Sequence, residues 1–410
     1  MMENKREHRR VRPFILRLVM LALFSPALDL ANGVGANELS GFIEGQARLF
    51  ANSATHLGQA DQTVSLAAQP EYFHEWETGS SFTFVPFYRL DRADSKRTHF
   101  DVRELTFLYL HDDFELRLGV RKEFWGVTEV LHLVNIINQV DFIEDIDFED
   151  FLGQPMANLS IARDWGTLDL FYLPFFRERT FPGRSGRLRG SRVVDTGRAV
   201  FESSRGKWHP DWTVRYSHTL GGWDLGIYHF NGTGREPTLL PGKNDNGNPV
   251  LIPFYEQINQ TGVDVSYVTG SWLWKLEALQ RFGQGKRFVA WTGGFEYTFT
   301  GIMETAMDLG VLAEWMYDER GKKAFTPFDN DIAYGLRLTF NDVDSTDLLF
   351  GWVQDVRNSA RFLFLEASRR FSDHWKASLE IRTFFSQPAD DTFFSLRNDD
   401  LMQLELAYFF

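Results

Sequence analysis

The fold class of this chain is indicated most clearly by its last ten residues, Leu401-Met402-Gln403-Leu404-Glu405-Leu406-Ala407-Tyr408-Phe409-Phe410. Apolar Leu404, Leu406, Tyr408 and Phe410 stand at the even positions, and they alternate with Gln403, Glu405, Ala407 and Phe409 at the odd positions. Successive side chains of a strand point to opposite faces, so a period of two predicts a strand with one apolar and one polar face. The same alternation recurs over residues 330–340 and 375–385.

Eighteen segments of this kind follow one another along the chain. We predict strands at residues 39–50, 66–77, 81–90, 98–110, 114–125, 158–163, 167–176, 207–220, 223–230, 252–269, 272–282, 287–299, 308–317, 330–340, 346–354, 361–371, 375–385 and 400–410. Short connections, such as residues 164–166 and 221–222, alternate with long ones, such as 126–157 and 177–206. A soluble sandwich or propeller has no reason to place every long connection at one edge, whereas a transmembrane barrel has short turns at one end and long loops at the other. The sequence therefore predicts an all-β, antiparallel transmembrane barrel of about eighteen strands.

Composition excludes several other classes of protein. The 410 residues include no Cys, which removes thiol chemistry and cysteine metal sites, and 15 % are aromatic, which a disordered chain would lack. The formal charge of −13 argues against a nucleic-acid partner. Beyond residue 36 no run of 18 apolar residues occurs, which excludes a helical membrane protein.

The N-terminus has the pattern of a signal peptide. Basic residues between Lys5 and Arg17 precede a short apolar stretch, and Val34-Gly35-Ala36 provides small residues for cleavage after Ala36. We therefore expect residues 1–36 to be removed and residues 37–410 to form a single barrel with long extracellular loops. The remaining 37 basic and 53 acidic residues give a formal charge of −16.

The C-terminal strand resembles the last strand of Gram-negative outer-membrane proteins, which end in an aromatic residue read by the barrel-assembly machinery. The whole chain is similar to an uncharacterised family of porin-like barrels, through Leu118-Gly119-Val120-Arg121, Phe124-Trp125-Gly126, Val134-Asn135-Ile136-Ile137-Asn138, Tyr317-Asp318-Glu319-Arg320-Gly321 and Ala324-Phe325-Thr326-Pro327-Phe328. It is more loosely similar to alginate-export-type barrels of eighteen strands.

These resemblances imply a bacterial outer-membrane location, contact with outer-membrane lipid and lipopolysaccharide, and an assembly signal at Phe410. They imply passive diffusion of small hydrophilic solutes, with no cofactor. Export of an anionic exopolysaccharide and a closed structural or adhesin-like barrel remain alternatives.

Two long loops carry opposite charge. Residues 126–157 contain no Lys or Arg but hold the acidic residues Glu129, Asp141, Glu144, Asp145, Asp147, Glu149 and Asp150. Residues 177–206 are rich in arginine. In porins the loop after the fifth strand folds into the lumen, and residues 126–157 occupy that place. The resemblance therefore implies an acidic constriction formed by Asp141, Glu144, Asp145, Asp147, Glu149 and Asp150.

The opposing basic groups of this constriction are expected on the arginine-rich loop and on inward strand positions. They are Arg117, Arg121, Arg177, Arg179, Arg184, Arg187, Arg189, Arg281, Arg337 and Arg382. Opposed charges across a narrow aqueous pore create a transverse field that filters ions. The alternative is that both loops lie on the outer surface and bridge each other.

No sequence motif indicates an enzyme. The ten histidines include no His-Glu-x-x-His pair, and no Gly-x-Ser-x-Gly occurs. Asp150 stands where a calcium-binding EF-hand needs Gly, so we expect no metal site of that type, although weak cation binding by the acidic loop stays open. Inward glutamates such as Glu277 and Glu314 are interpreted as pore lining rather than as catalytic carboxylates.

Overall fold

The computed structural model describes residues 35–410, and the predicted signal peptide lies outside the described residues except for its last two. The strands are β1 (Gly35–Phe50), β2 (Gln62–Trp76), β3 (Ser81–Asp91), β4 (His99–His111), β5 (Phe114–Arg121), β6 (Gln154–Arg163), β7 (Gly166–Leu173), β8 (Val200–Phe201), β9 (Asp211–Leu220), β10 (Trp223–Thr233), β11 (Thr238–Lys243), β12 (Pro249–Tyr255), β13 (Gln257–Thr269), β14 (Trp272–Gly283), β15 (Gly285–Phe299), β16 (Asp308–Asp318), β17 (Asn330–Thr339), β18 (Asp347–Asp355), β19 (Arg361–Arg370), β20 (Trp375–Phe385) and β21 (Leu401–Phe409). Helical structure in residues 35–410 is limited to the 3₁₀ segments Thr196–Arg198, Gly206–Trp208, Ile302–Glu304, Gly321–Lys323 and Thr392–Leu396. None of these helices has the length and apolarity needed to cross a bilayer.

Eighteen of the strands form one closed antiparallel barrel. Each pairs with its neighbours in chain order, and β1 pairs with β21 to close the ring, with Gly45 opposite Leu406. The backbone of Phe410 continues this seam by donating to the carbonyl of Gly41 at 3.1 Å. The predicted number of barrel strands is confirmed.

The connections at the two ends of the barrel differ as predicted. Turns of two residues join β4 to β5 and β9 to β10, whereas the opposite end carries residues 122–153, 174–210 and 234–256. The prediction was wrong for residues 252–269, which form two strands. β12 belongs to a small sheet at the long-loop end, in the order β11-β12-β8, and only β13 enters the barrel.

The outer surface of the barrel is apolar. Leu404 and Leu406 on β21 point outward and are exposed, as are Trp274 and Leu276 on β14. Exposed tryptophans lie beside five of the short turns, at Trp76, Trp165, Trp223, Trp272 and Trp375. An apolar band edged by aromatic side chains is the surface that a barrel presents to lipid.

The closing register can be tested by a disulfide, because the chain has no Cys. Gly45 and Leu406 are directly opposite on the outer face of β1 and β21, and opposite residues lie at a separation that a disulfide bridges. Gly45→Cys with Leu406→Cys should therefore crosslink on oxidation, as measured by mass spectrometry of the linked peptides. Gly45→Cys with Leu404→Cys, two residues out of register, is the control, and equal crosslinking of the two pairs would contradict the seam.

Candidate functional site

A long irregular connection between β5 and β6 lies inside the barrel. It comprises residues 122–153, called the inner loop below, whereas residues 154–157, predicted to be loop, belong to β6. Its backbone and side chains contact inward-facing residues of several strands, and these contacts establish its position.

Two glutamates of the barrel wall hold the first part of the inner loop. The carboxylate of Glu277 on β14 accepts from the backbone N–H groups of Val127, Thr128 and Val134 at 2.7, 3.0 and 3.1 Å. Glu314 on β16 accepts from the N–H groups of residues 129 and 130 at 2.8 and 3.1 Å. Their interpretation as pore lining is therefore wrong, because both carboxylates are buried anchors for the loop.

Apolar packing fixes the same part of the loop on two sectors of the wall. Trp125 and Ile137 pack with residues of β6, β7, β10 and β13 in one buried cluster. Leu131 packs with residues of β16 to β19, such as Met316 and Val353, in a second cluster. The inner loop thus fills one side of the barrel interior and leaves the polar side beside β1, β3, β4 and β20.

Ion pairs hold the second part of the inner loop on that polar side. Asp141 pairs with Arg103 of β4 and Glu144 pairs with Arg89 of β3, each at 2.8 Å. Asp145 pairs with Arg48 of β1 at 2.8 Å and also with Arg382 of β20.

Arg382 bridges two acidic residues of the loop, since it also pairs with Asp147 at 2.8 Å. Glu149 and Asp150 form no ion pair within the described part of the chain, and both line an open cavity. Four of the six predicted acidic residues are therefore engaged by the wall, and two face open space.

The pKa values of the acidic side chains in the inner loop are shifted in opposite directions. Burial opposes ionisation of Asp145, but the guanidiniums of Arg382 and Arg48 outweigh it and lower its pKa to about 2. Glu149 faces water but lies deep inside the barrel beside Asp147, and this confinement and the adjacent charge raise its pKa to about 7. The same two causes raise the pKa of Asp150. The lowered pKa keeps Asp145 ionised at neutral pH, whereas the raised pKa makes Glu149 titrate near neutral pH.

The predicted basic residues divide into two groups. On the wall, Arg382 binds Asp145 and Asp147, and Arg337 binds Glu129 of the inner loop at 2.6 Å. The other predicted strand arginines have different partners, namely Glu115 for Arg117, Glu123 for Arg121 and Glu236 for Arg281.

The arginine-rich loop contacts the inner loop without pairing with its carboxylates. Arg177 donates to the carbonyl of Gly153 at 2.7 Å, and Arg179 donates to the side chain of Gln139 at 3.0 Å. Further along, Arg187 pairs with Asp399 at 2.8 Å, Arg184 is exposed, and Arg189 donates to backbone carbonyls of its own loop. The structure does not bring Arg184, Arg187 or Arg189 to the acidic residues.

Sequence reasoning missed three of the arginines that bind the acidic segment: Arg48, Arg89 and Arg103. Each stands at an inward position of a predicted strand, the same signal that identified Arg337 and Arg382. The alternation within β1, β3 and β4 places all three on the inward face, so the signal that identifies them is present in the sequence.

The segment from Phe142 to Glu149 separates two cavities of different character. On the turn side lies a polar cavity of about 620 Å³, lined by Lys122, Asp145, Asp147 and Glu149 of the inner loop and by wall residues such as Glu44. On the long-loop side lies an apolar cavity of about 320 Å³, lined by Phe142, Ile146 and Phe148 from the same segment. Alternation along residues 145–149 thus gives this segment one charged and one apolar face.

Cation binding by this segment has to compete with arginine. Oxygens of Asp145, Asp147 and Glu380 converge as metal ligands do, but Arg382 pairs with all three carboxylates. The guanidinium supplies the positive charge that a metal ion would bring.

No family model matches the sequence, and no curated protein matches it as a relative. Among solved structures, the chain is similar to engineered variants of the Rhodopseudomonas blastica porin. One, in which a lysine and an arginine are replaced by alanine, shows 10 % identity and a TM-score of 0.45. Another, in which a tyrosine and a serine are replaced by tryptophan, shows 11 % identity and a TM-score of 0.46. Both alignments cover 92 % of this chain and 100 % of the other. A likeness at this level says nothing of function, which has to come from the geometry of this chain.

The raised pKa of Glu149 predicts a pH-dependent stability. Its pKa of about 7 in the folded protein exceeds its ordinary value of 4.5, so the fold loses stability as the pH rises from about 4.5 through about 7. Glu149→Gln should reduce this loss, as measured by thermal unfolding between pH 5 and pH 8. Glu77→Gln, in an exposed turn, is the matched control, and an unchanged pH profile for Glu149→Gln would contradict the assignment.

Proposed function

We propose that this protein is an outer-membrane channel for passive diffusion of small hydrophilic solutes. The single observation that carries the proposal is a closed barrel, apolar outside, that encloses a polar cavity of about 620 Å³ beside an inner loop held by ion pairs. A barrel of eighteen strands is wide enough for an aqueous channel, and loops set how much of it stays open.

The apolar band and the turn-side tryptophans support the membrane location. In lipid every backbone N–H and C=O must be bonded within the protein, and only a closed barrel achieves this with strands. By analogy with outer-membrane barrels, the short turns face the periplasm and the long loops face outward. Contact with lipopolysaccharide and reading of Phe410 by the assembly machinery are part of this proposal.

The inner loop acts as the constriction in this proposal. Asp141, Glu144, Asp145 and Asp147 are held in direct contact with the wall arginines Arg103, Arg89, Arg48 and Arg382, whereas Glu149 and Asp150 stay unpaired within residues 35–410, beside the polar cavity. The field of the charges that line this cavity acts on solutes that pass. Local charge therefore governs selectivity more than the net charge of the chain.

Planar-bilayer recording of the purified protein tests the channel. Discrete open steps of steady conductance support diffusion of small solutes. Block of the current by added polyanion would favour exopolysaccharide export instead, and silence in every preparation would favour a closed structural barrel.

The free charges that line the polar cavity should set ion selectivity. Glu149→Gln with Asp150→Asn should raise the anion-to-cation permeability ratio, and Lys122→Gln, at the start of the inner loop, should lower it. Both shifts should grow at low salt, because the Debye length rises from about 10 Å at 0.1 M to about 30 Å at 0.01 M. Reversal potentials under a salt gradient provide the measurement, and unchanged potentials in open channels would place these groups outside the conduction path.

Arg382 should control how firmly the inner loop is held. Arg382→Gln leaves Asp145 and Asp147 without their shared partner, and loss of one member of a buried ion pair costs about 3–5 kcal/mol. We expect larger and noisier single-channel conductance as the loop detaches. Arg370→Gln, on the inward face of β19 against the ring of Phe409, is the control. Identical recordings for the two variants would show that the ion pairs do not hold the constriction.

A further inference from the structure

The apolar cavity at the long-loop end is lined by five connections. Besides the inner loop, its walls come from the arginine-rich loop, the β11–β12 hairpin, residues 324–327 and residues 392–396. Phe142, Phe148, Phe325 and Phe393 supply aromatic surface, and Leu251 adds an aliphatic wall. A cavity of about 320 Å³ with such walls suits the apolar body of a small organic molecule.

One charged side chain that lines this cavity is Arg189. It is only 9 % exposed, and its guanidinium donates to the carbonyls of Gly190 and Arg184 at 2.9 and 3.1 Å. Its Nε–H has no hydrogen-bond partner, and Arg189 forms no ion pair with any carboxylate in residues 35–410. A buried charge without a counter-ion is costly, so this arrangement favours an anion that enters the cavity.

A second arginine adds positive charge behind the aromatic wall. Arg179 is buried and, like Arg189, forms no ion pair within the described residues. Its guanidinium lies 4.9 Å from the ring centroid of Phe142 and 4.6 Å from that of Phe325. Both rings also line the cavity, so the apolar wall is backed by a cation that raises the local potential.

We propose that this cavity binds an organic anion with an apolar body and a single carboxylate, an aromatic monocarboxylate being the simplest example. The body packs against the phenylalanine rings, and the carboxylate accepts from the Arg189 guanidinium. A neutral hydrocarbon would leave Arg189 without a counter-ion, and a small inorganic anion would leave the aromatic walls in contact with water. This inference rests on the proposed function in one respect: the bound anion is a solute of the channel only if the protein is a channel.

Isothermal titration of the purified full barrel in detergent, with benzoate as the probe, tests the site directly. Acetate has the carboxylate without the aromatic ring, and benzyl alcohol has the aromatic ring without the negative charge. We expect benzoate to bind at least about tenfold more tightly than either. Arg189→Gln should weaken benzoate at least about tenfold, since it removes a charge-assisted hydrogen bond, and should leave benzyl alcohol unchanged.

Arg184→Gln is the matched control, because it makes the same charge change in the same loop at an exposed residue that does not line the cavity. Its affinity for benzoate should equal that of the unmodified protein. Absence of benzoate binding at millimolar concentration, equal binding of benzyl alcohol, or equal loss in both variants would overturn the proposal. Channels that open but bind no benzoate refute this inference alone, whereas a silent protein that binds benzoate refutes only the diffusion function.

Discussion

The need to bond every backbone N–H and C=O within the protein governs this structure, because lipid offers no partners. Strands meet it only when the sheet has no free edge, and the pairing of β1 with β21 removes the last one. Closure then forces each strand to place alternate side chains in lipid and in the interior. The interior of so wide a barrel must be filled by protein or occupied by water. The inner loop fills one part of it, and the rest remains open as the polar cavity.

The inner loop shows how polar groups are used when a barrel is too wide to pack with side chains alone. Glu277 is fully buried, yet its carboxylate replaces water for three backbone N–H groups of the loop. Arg48 and Arg382 compensate the charge of Asp145 in the same way. Each of these contacts stabilises the position of the loop because the fold holds both partners together. The contact then offsets the free energy lost when the charged groups are removed from water.

The barrel strands could be predicted well from the sequence because the alternation of apolar and polar residues is visible within each segment. Alternation such as that from Leu404 to Phe410 can be seen within one segment, and every predicted barrel strand overlaps an observed one. The small sheet of β8, β11 and β12 was not predicted, and residues 252–255 were assigned to a barrel strand, because an apolar run such as residues 250–255 does not show which sheet it joins.

The partners of the inner loop escaped prediction because they are remote in sequence. Arg382 lies 237 residues from Asp145, and which wall arginine a loop carboxylate meets depends on barrel geometry rather than on local pattern. The high arginine content of residues 177–206 favoured Arg184 and Arg187 as partners of the loop carboxylates. An inward position on a barrel strand identifies the observed partners better.

The seam between β1 and β21 has a consequence for how the molecule folds. It joins the two ends of the barrel sequence, and contacts this far apart form slowly because closing so long a loop has a high entropic cost. Until β21 arrives, β1 presents an unpaired edge that can recruit another chain. β21, the last barrel strand in chain order, is therefore the strand that removes this edge, and β20, just before it, carries the arginine that pairs with the inner loop.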